Sequence, residues 1–229
     1  MKVPRQDAAR TRESLLAAAS DIFADKGYRD ATIAEISIRA GANVAAINYH
    51  FGDKETLYRE AWRDSFRESV KAHPPDGGVD AGARPGQRLR GYVAALLARI
   101  TDKNNKEFLI VHKELANPTG LLEEVIQEEI QPIHQRMENL VLDIIGPRAS
   151  DMQVRFCTIG IISQCFIPVV INRMEAKERD ARNDPWKIED IEAYAEHVVK
   201  FSLAGLRAVR HGAKKGVGGH SRKRGGHAD

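Results

Sequence analysis

Residues 43–51 read Asn-Val-Ala-Ala-Ile-Asn-Tyr-His-Phe, small side chains first and polar ones after. That order suits a helix entering a DNA major groove, which is about 12 Å wide. Ala45 and Ala46 are slim enough to approach base edges, and their methyls can touch a thymine methyl. Asn48 can make paired hydrogen bonds to adenine. Tyr49 falls on the same exposed side, and Val44 or Ile47 turns inward. A second set of polar residues interrupts apolar stripes farther along: His112, Glu114, His134, Asn139, Gln164 and Asn172. They are candidates for a small-molecule pocket, although for any single one a satisfied core polar group is the simpler reading. No His/Cys/carboxylate set has a recognised metal-ligand spacing, so neither a metal nor a cofactor is expected. Cys157 and Cys165 are eight residues apart, about 12 Å along a helix, too far for an intrahelical disulfide. Gly-rich phosphate loops, nucleophile elbows and metalloprotease motifs are absent, which argues against an enzyme.

The elements that must hold these residues are helical almost throughout. Leu15, Leu16, Ala19, Ile22 and Phe23 share one face of a first helix that Gly27 ends. Thr32 and Glu35 form a capping box, in which each side chain satisfies a backbone N–H of the other residue. The short helix behind it turns Ile33, Ile36 and Ala40 inward. Gly41 supplies a left-handed turn, and Asn43 caps a third helix from Val44. Asp53 caps a fourth, which runs to about Ala72. Residues 73–86 are rich in Pro and Gly and read as a loop or linker. Apolar stripes resume at Leu89–Ile100, Phe108–Leu115 and Leu121–Ile145, the last with Pro132 as a kink or break. Ser150 with Gln153 opens another helix, reaching about Arg173. A polar loop at 175–186 leads to a last helix, 188–211. The expected fold is all-α: an N-terminal three-helix helix-turn-helix domain (1–54), a connecting helix (55–72) and a C-terminal helical domain (87–211).

Composition agrees with a folded chain. Of 229 residues, 42% are hydrophobic and 29% charged, enough for a core and a solvated surface. The net charge of +3 is local. The tail at 212–229 carries five cations against Asp229 alone, and it reads as a disordered end that could add non-specific phosphate attraction. The longest apolar run, Phe156–Ile171, falls short of the roughly 20 residues of a membrane span. Met1–Glu13 has no apolar signal region, so a cytoplasmic setting without membrane contact is expected.

A lone helix-turn-helix is a weak signal, but its surroundings are specific. The stretch from Thr11 to Leu57 resembles the TetR family of bacterial transcriptional repressors. The matching residues are Ala19, Phe23, Gly27-Tyr28, Thr32-Ile33, Ile36, Ala40-Gly41, Tyr49-His50-Phe51, Asp53-Lys54-Glu55 and Leu57. Ser37 stands where the family usually has Ala, and Asn43 where it often has Ser or Thr. The run 43–51 and the stretch Glu114-Leu-Ala-Asn-Pro-Thr119 are similar to the CecR-like branch. The resemblance implies a sequence-specific DNA-binding regulator: a homodimer on a palindromic double-stranded operator, released by an unknown small-molecule effector. Matching positions make Thr32, Tyr49, His50 and Lys54 the phosphate contacts, with Arg39 a further one. Asn43, Ala45, Ala46 and Asn48 complete the DNA-facing set. Lys54 also sits at a helix N-terminus, which attracts phosphate. Phe51 is better read as core.

The last two helices carry apolar residues on more than one face and need burial on two sides. Ile161, Cys165, Val169, Tyr194, Val198 and Phe201 are the expected dimer-interface residues. Effector binding would favour a spacing of recognition helices that misses the operator, with the fourth helix as hinge. Control by a protein partner or by thiol chemistry is the alternative.

Overall fold

A computed structural model describes residues 4–175 and 188–215, with side chains at 7–166 and 188–212. The helices are α1 (Pro4–Asp30), α2 (Ile33–Ala40), α3 (Val44–Phe51), α4 (Lys54–Ala72), α5 (Pro85–Thr101), α6 (Lys106–Ala116), α7 (Glu123–Ile145), α8 (Asp151–Glu175) and α9 (Ile191–Lys215). No strand occurs among the described residues, so the fold is all-α as expected. Gly27 breaks α1 with φ 78°, leaving a short turn to Asp30. Pro132 lies inside α7 rather than ending it. The loop expected at 175–186 falls almost wholly outside the described residues. So do the tail from 216 onward and the side chains of Val169 and Asn172.

Packing divides the chain into two compact units that cut across the sequence blocks. One comprises 1–74 and 99–132; the other comprises 75–98 and 133–229. The first unit therefore takes in α6 and the start of α7. α1 packs against α2, α4 and α6, and the core includes Leu15, Phe23, Ile36, Ile47, Tyr58 and Trp62. Phe23, Tyr28 and Tyr58 form an aromatic cluster, the Phe23–Tyr58 rings meeting edge to face at 4.7 Å. Arg63 on α4 binds Glu60, Glu128 and Glu129 at 2.7–3.1 Å, which ties α4 to the start of α7. Asn105 is buried, and its Nδ2 donates to Ser69 Oγ at 3.0 Å and to the Arg99 carbonyl at 2.8 Å. Beside it, Arg99 and Glu107 form a buried ion pair at 3.3 Å. Burial pushes the Glu107 carboxyl up to about 7, with the Arg99 guanidinium opposing.

In the second unit, α8 packs against α9, and the core is aliphatic: Leu89, Val93, Leu97, Val141, Ile161, Cys165, Val198 and Leu206. The Pro/Gly-rich segment at 75–84 is a built wall rather than a loose linker. Gly77 has φ 62°, and a Cβ placed there would come within 2.5 Å of the Gly91 carbonyl oxygen. Gly91 is buried on α5, where a Cβ would meet the Asp76 carbonyl and the Val79 side chain. Two missing side chains thus let the loop lie directly on the helix.

Candidate nucleic-acid interface

The turn between α2 and α3 is held by local backbone chemistry. Glu35 N–H donates to Thr32 Oγ1 and Thr32 N–H to Glu35 Oε2, both at 3.2 Å, completing the capping box. Lys26 closes on Glu35 Oε1 at 2.5 Å. At the other end Gly41 sits at φ 63°, ψ 30°. Its N–H donates to the Ile38 carbonyl at 3.1 Å, and the Ala42 N–H reaches the Ser37 carbonyl at 3.0 Å. That pair is a Schellman motif, whose left-handed residue favours glycine. Asn43 Oδ1 accepts from Ala45 N–H at 2.9 Å and starts α3.

α3 is thereby anchored on one face and bare on the other. Ile47 is fully buried and Phe51 nearly so, which settles the inward residue as Ile47 and places Phe51 in the core. Val44 is 44% exposed and Tyr49 80% exposed. Ala45 and Asn48 are exposed, and Ala46 and His50 half-buried. The Tyr49 ring meets His50 edge to face at 4.9 Å and otherwise stands out from the helix. Thr32 is exposed, with its hydroxyl engaged in the cap. Ile38 on α2 is 80% exposed, an apolar residue outside the inward stripe that sequence reasoning passed over.

The charged candidates are more constrained. Arg39 reaches Asp21 Oδ2 through Nε at 3.2 Å and Nη2 at 2.8 Å, and Lys106 holds the other oxygen of that carboxylate at 2.5 Å. Lys54 Nζ lies 4.5 Å from the centre of the Tyr28 ring, and partial burial lowers its ammonium pKa. The amide end of α4 is already capped, because Asp53 Oδ1 accepts from Thr56 N–H at 2.7 Å. Attraction of a phosphate there would come from the Lys54 cation and from the amides of the first turn that this one bond does not engage.

The polar residues expected at a pocket are divided between the two units. In the first, His112 is exposed, and Glu114 closes the turn after α6. Glu114 accepts from Tyr58 Oη at 3.0 Å, from Thr119 N–H and Oγ1 at 2.7 Å, and from Gly120 N–H at 3.0 Å. In the second, His134 and Asn139 are exposed on α7, and Asn139 accepts from Gln135 at 3.3 Å. Gln164 Nε2 donates to the Gly160 carbonyl at 3.0 Å, and the Gln164 backbone carbonyl accepts from Tyr194 Oη at 2.6 Å. The second unit contains a cavity of about 320 Å³ between the 75–81 loop, α5 and α7, and none of these residues lines it.

The subunit-interface residues need correction. Ile161, Cys165 and Val198 are 2%, 0% and 0% exposed within one chain, so they are core and cannot meet a partner. Tyr194 is half-buried, while Phe201 is 63% exposed. Among the described side chains, the apolar surface left open on α8 is Met152, Phe156 and Ile159, at 62%, 63% and 53% exposure. Their spacing of four and three residues puts them on one helical face. Burial raises the Cys157 thiol pKa and pushes that of Cys165 up to about 12, so neither is an activated thiolate. Among the described residues no three His, Cys, Asp or Glu gather as metal ligands, and no helix is long and apolar enough to cross a membrane.

Comparison with known proteins agrees with this architecture. Residues 15–61 match the family model for bacterial regulatory proteins of the TetR family. Residues 85–206 match that of the C-terminal domain of the HTH-type transcriptional dual regulator CecR. The CecR protein of Shigella flexneri is 28% identical over 167 residues, covering 68% of this chain and 74% of that one. The probable acrEF/envCD operon repressor of Escherichia coli K12 is 29% identical over 136 residues, 56% of this chain and 60% of that one. Among solved structures, the regulator FadR of Bacillus subtilis in complex with stearoyl-CoA superposes with a TM-score of 0.64 at 17% identity, covering 84% of this chain and 98% of that one; at that identity the likeness is one of fold. The chain belongs to the TetR family of DNA-binding transcriptional regulators and, within it, to the CecR type.

Proposed function

We propose that this regulator is a homodimeric repressor that binds a near-palindromic operator and leaves it when a small molecule occupies the second unit. The observation that carries the reading is the bare face of α3. Val44, Ala45, Asn48 and Tyr49 point away from a helix pinned by Ile47 and Phe51, and no charged residue intrudes among them. Ala45 and Asn48 on this face read thymine methyls and adenine edges, while Thr32, Tyr49, His50 and Lys54 hold phosphates. Arg39 joins them only by loosening its pair with Asp21. The open stripe of Met152, Phe156 and Ile159, with Phe201 on α9, supports a partner subunit, since exposed apolar surface of this kind marks an interface. A regulator of the same fold, FadR, is in complex with stearoyl-CoA, which supports a small-molecule effector. Repression is favoured by the operon-repressor relative, and a cytoplasmic site of action follows from DNA as the partner.

The test is binding of the purified protein to fragments of its own genomic neighbourhood, with competitor DNA and a salt series. Tight binding to one near-palindromic fragment supports the reading. Weak, steeply salt-dependent binding that is equal on all fragments contradicts it. Compounds that release the operator must bind free dimer more tightly than DNA-bound dimer; equal affinity for both would refute ligand control.

A further inference from the structure

We infer that the cavity of the second unit is a site for a small amphipathic organic anion: a carboxylate or a similar oxyanion on an apolar body. The body follows from the lining. Val79, Tyr92, Ile133 and Leu140 supply apolar wall from the loop, α5 and α7. The volume of about 320 Å³ lies at the lower end of small-molecule sites. It holds on the order of ten water-sized groups at about 30 Å³ each.

The charge follows from the two arginines in the lining. Arg88 on α5 is fixed by its Nη1, which binds Asp143 Oδ2 at 2.9 Å, and its Nε and Nη2 meet no acceptor among the described residues. Arg136 on α7 is exposed and has no ion pair or hydrogen bond among the described residues. The acidic residue of the lining, Asp76, is turned to its own loop, where its Oδ1 accepts from Gly78 N–H at 2.9 Å. One oriented and one unpaired guanidinium beside an apolar wall favour an oxyanion held by paired N–H donors. A cation would face the Arg136 guanidinium, which no acid among the described residues offsets, and a neutral ligand would leave that fork and the free edge of Arg88 unused. The wall opposite is kept in place by the close approach of Gly77 to Gly91, so this side of the cavity exists before any ligand arrives.

The site itself stands apart from the repressor reading. Its consequence at the operator rests on that reading, and the two are measured separately. Octanoate and naphthoate, each with its neutral alcohol and its primary amine, are titrated calorimetrically into the full-length protein and into Arg136→Gln and Arg88→Gln. Arg136 is exposed, so its replacement keeps the fold, and circular dichroism checks both variants. At least one carboxylate is expected to saturate one site per chain, with affinity at least tenfold above its alcohol and amine. Arg136→Gln is expected to abolish that tenfold preference, and Arg136→Lys to restore part of it. If neither carboxylate binds, if the alcohols bind as tightly, or if both Gln variants keep the preference, the inference is overturned. Arginine-dependent binding that leaves operator affinity unchanged would keep the site and refute its role as effector site.

Discussion

Phe156 offers the sharpest test of the proposed subunit interface. Its ring is 63% exposed on a face shared with Met152 and Ile159. Fully burying a Phe side chain contributes about 1.5–3 kcal/mol, so covering the exposed part contributes about 1–2 kcal/mol per chain. A two-fold dimer uses the residue twice. Phe156→Ala should therefore weaken dimerisation by about 2–4 kcal/mol, or roughly 30- to 700-fold. The isolated chain should unfold at nearly the same denaturant midpoint, because little of that ring is buried within it. Ile161→Ala, five residues on and on another face of α8, should do the reverse. Its side chain is 2% exposed, so truncation costs about 2–5 kcal/mol of folding stability. Sedimentation equilibrium over a dilution series reads the first effect, and urea unfolding below the dimer dissociation constant reads the second. An unchanged monomer–dimer constant in Phe156→Ala would refute the assignment of this face to the partner.

Three further outcomes follow from the packing. Ser37 is 2% exposed and its hydroxyl has no hydrogen-bond partner among the described residues, so Ser37→Ala should raise stability by about 1 kcal/mol in urea unfolding; a loss would show that the hydroxyl is bonded in solution. Gly41 has φ 63° with nothing within 4 Å of a built Cβ, so the cost of Gly41→Ala is conformational, about 1–2 kcal/mol, and Gly41→Asn should cost less. Equal costs for the two would point to sterics instead. Glu107, pushed up from 4.5 to about 7, holds its proton more tightly in the fold than in the open chain. Stability should then fall as pH rises from about 4.5 to 7 and level off above, by about 3 kcal/mol at most. Glu107→Gln should flatten that slope, and an equally steep slope in the variant would assign it elsewhere.

What could be read from the chain was local. The Thr32–Glu35 box, the Gly41 cap and the Asn43 cap each close within a few residues, so residue types at fixed spacing specify them. The inward stripe of α1 and the outward face of α3 follow from helical period. What escaped was tertiary. Period shows that α8 has two apolar faces but not which one its own subunit covers, so Ile161 and Cys165 read as partner-facing although their own chain buries them, while Phe156 stays exposed. The Gly77–Gly91 approach joins residues whose glycines read separately as a turn and a helix interior. The pairing of Arg39 with Asp21 and the burial of Arg99 with Glu107 depend on helix packing that no window of sequence contains.

The proposed reading of bases by the bare face of α3 turns on Asn48. The direct test compares wild-type protein with Asn48→Ala on the operator fragment and on a scrambled fragment of equal length, by fluorescence anisotropy at fixed salt. Asn48 is exposed, so the variant should keep its unfolding midpoint. Each lost adenine contact costs about 1–3 kcal/mol, and a dimer loses two. Operator affinity should fall by at least thirtyfold with affinity for the scrambled fragment unchanged. Equal losses on both fragments, or no loss on either, would contradict that reading.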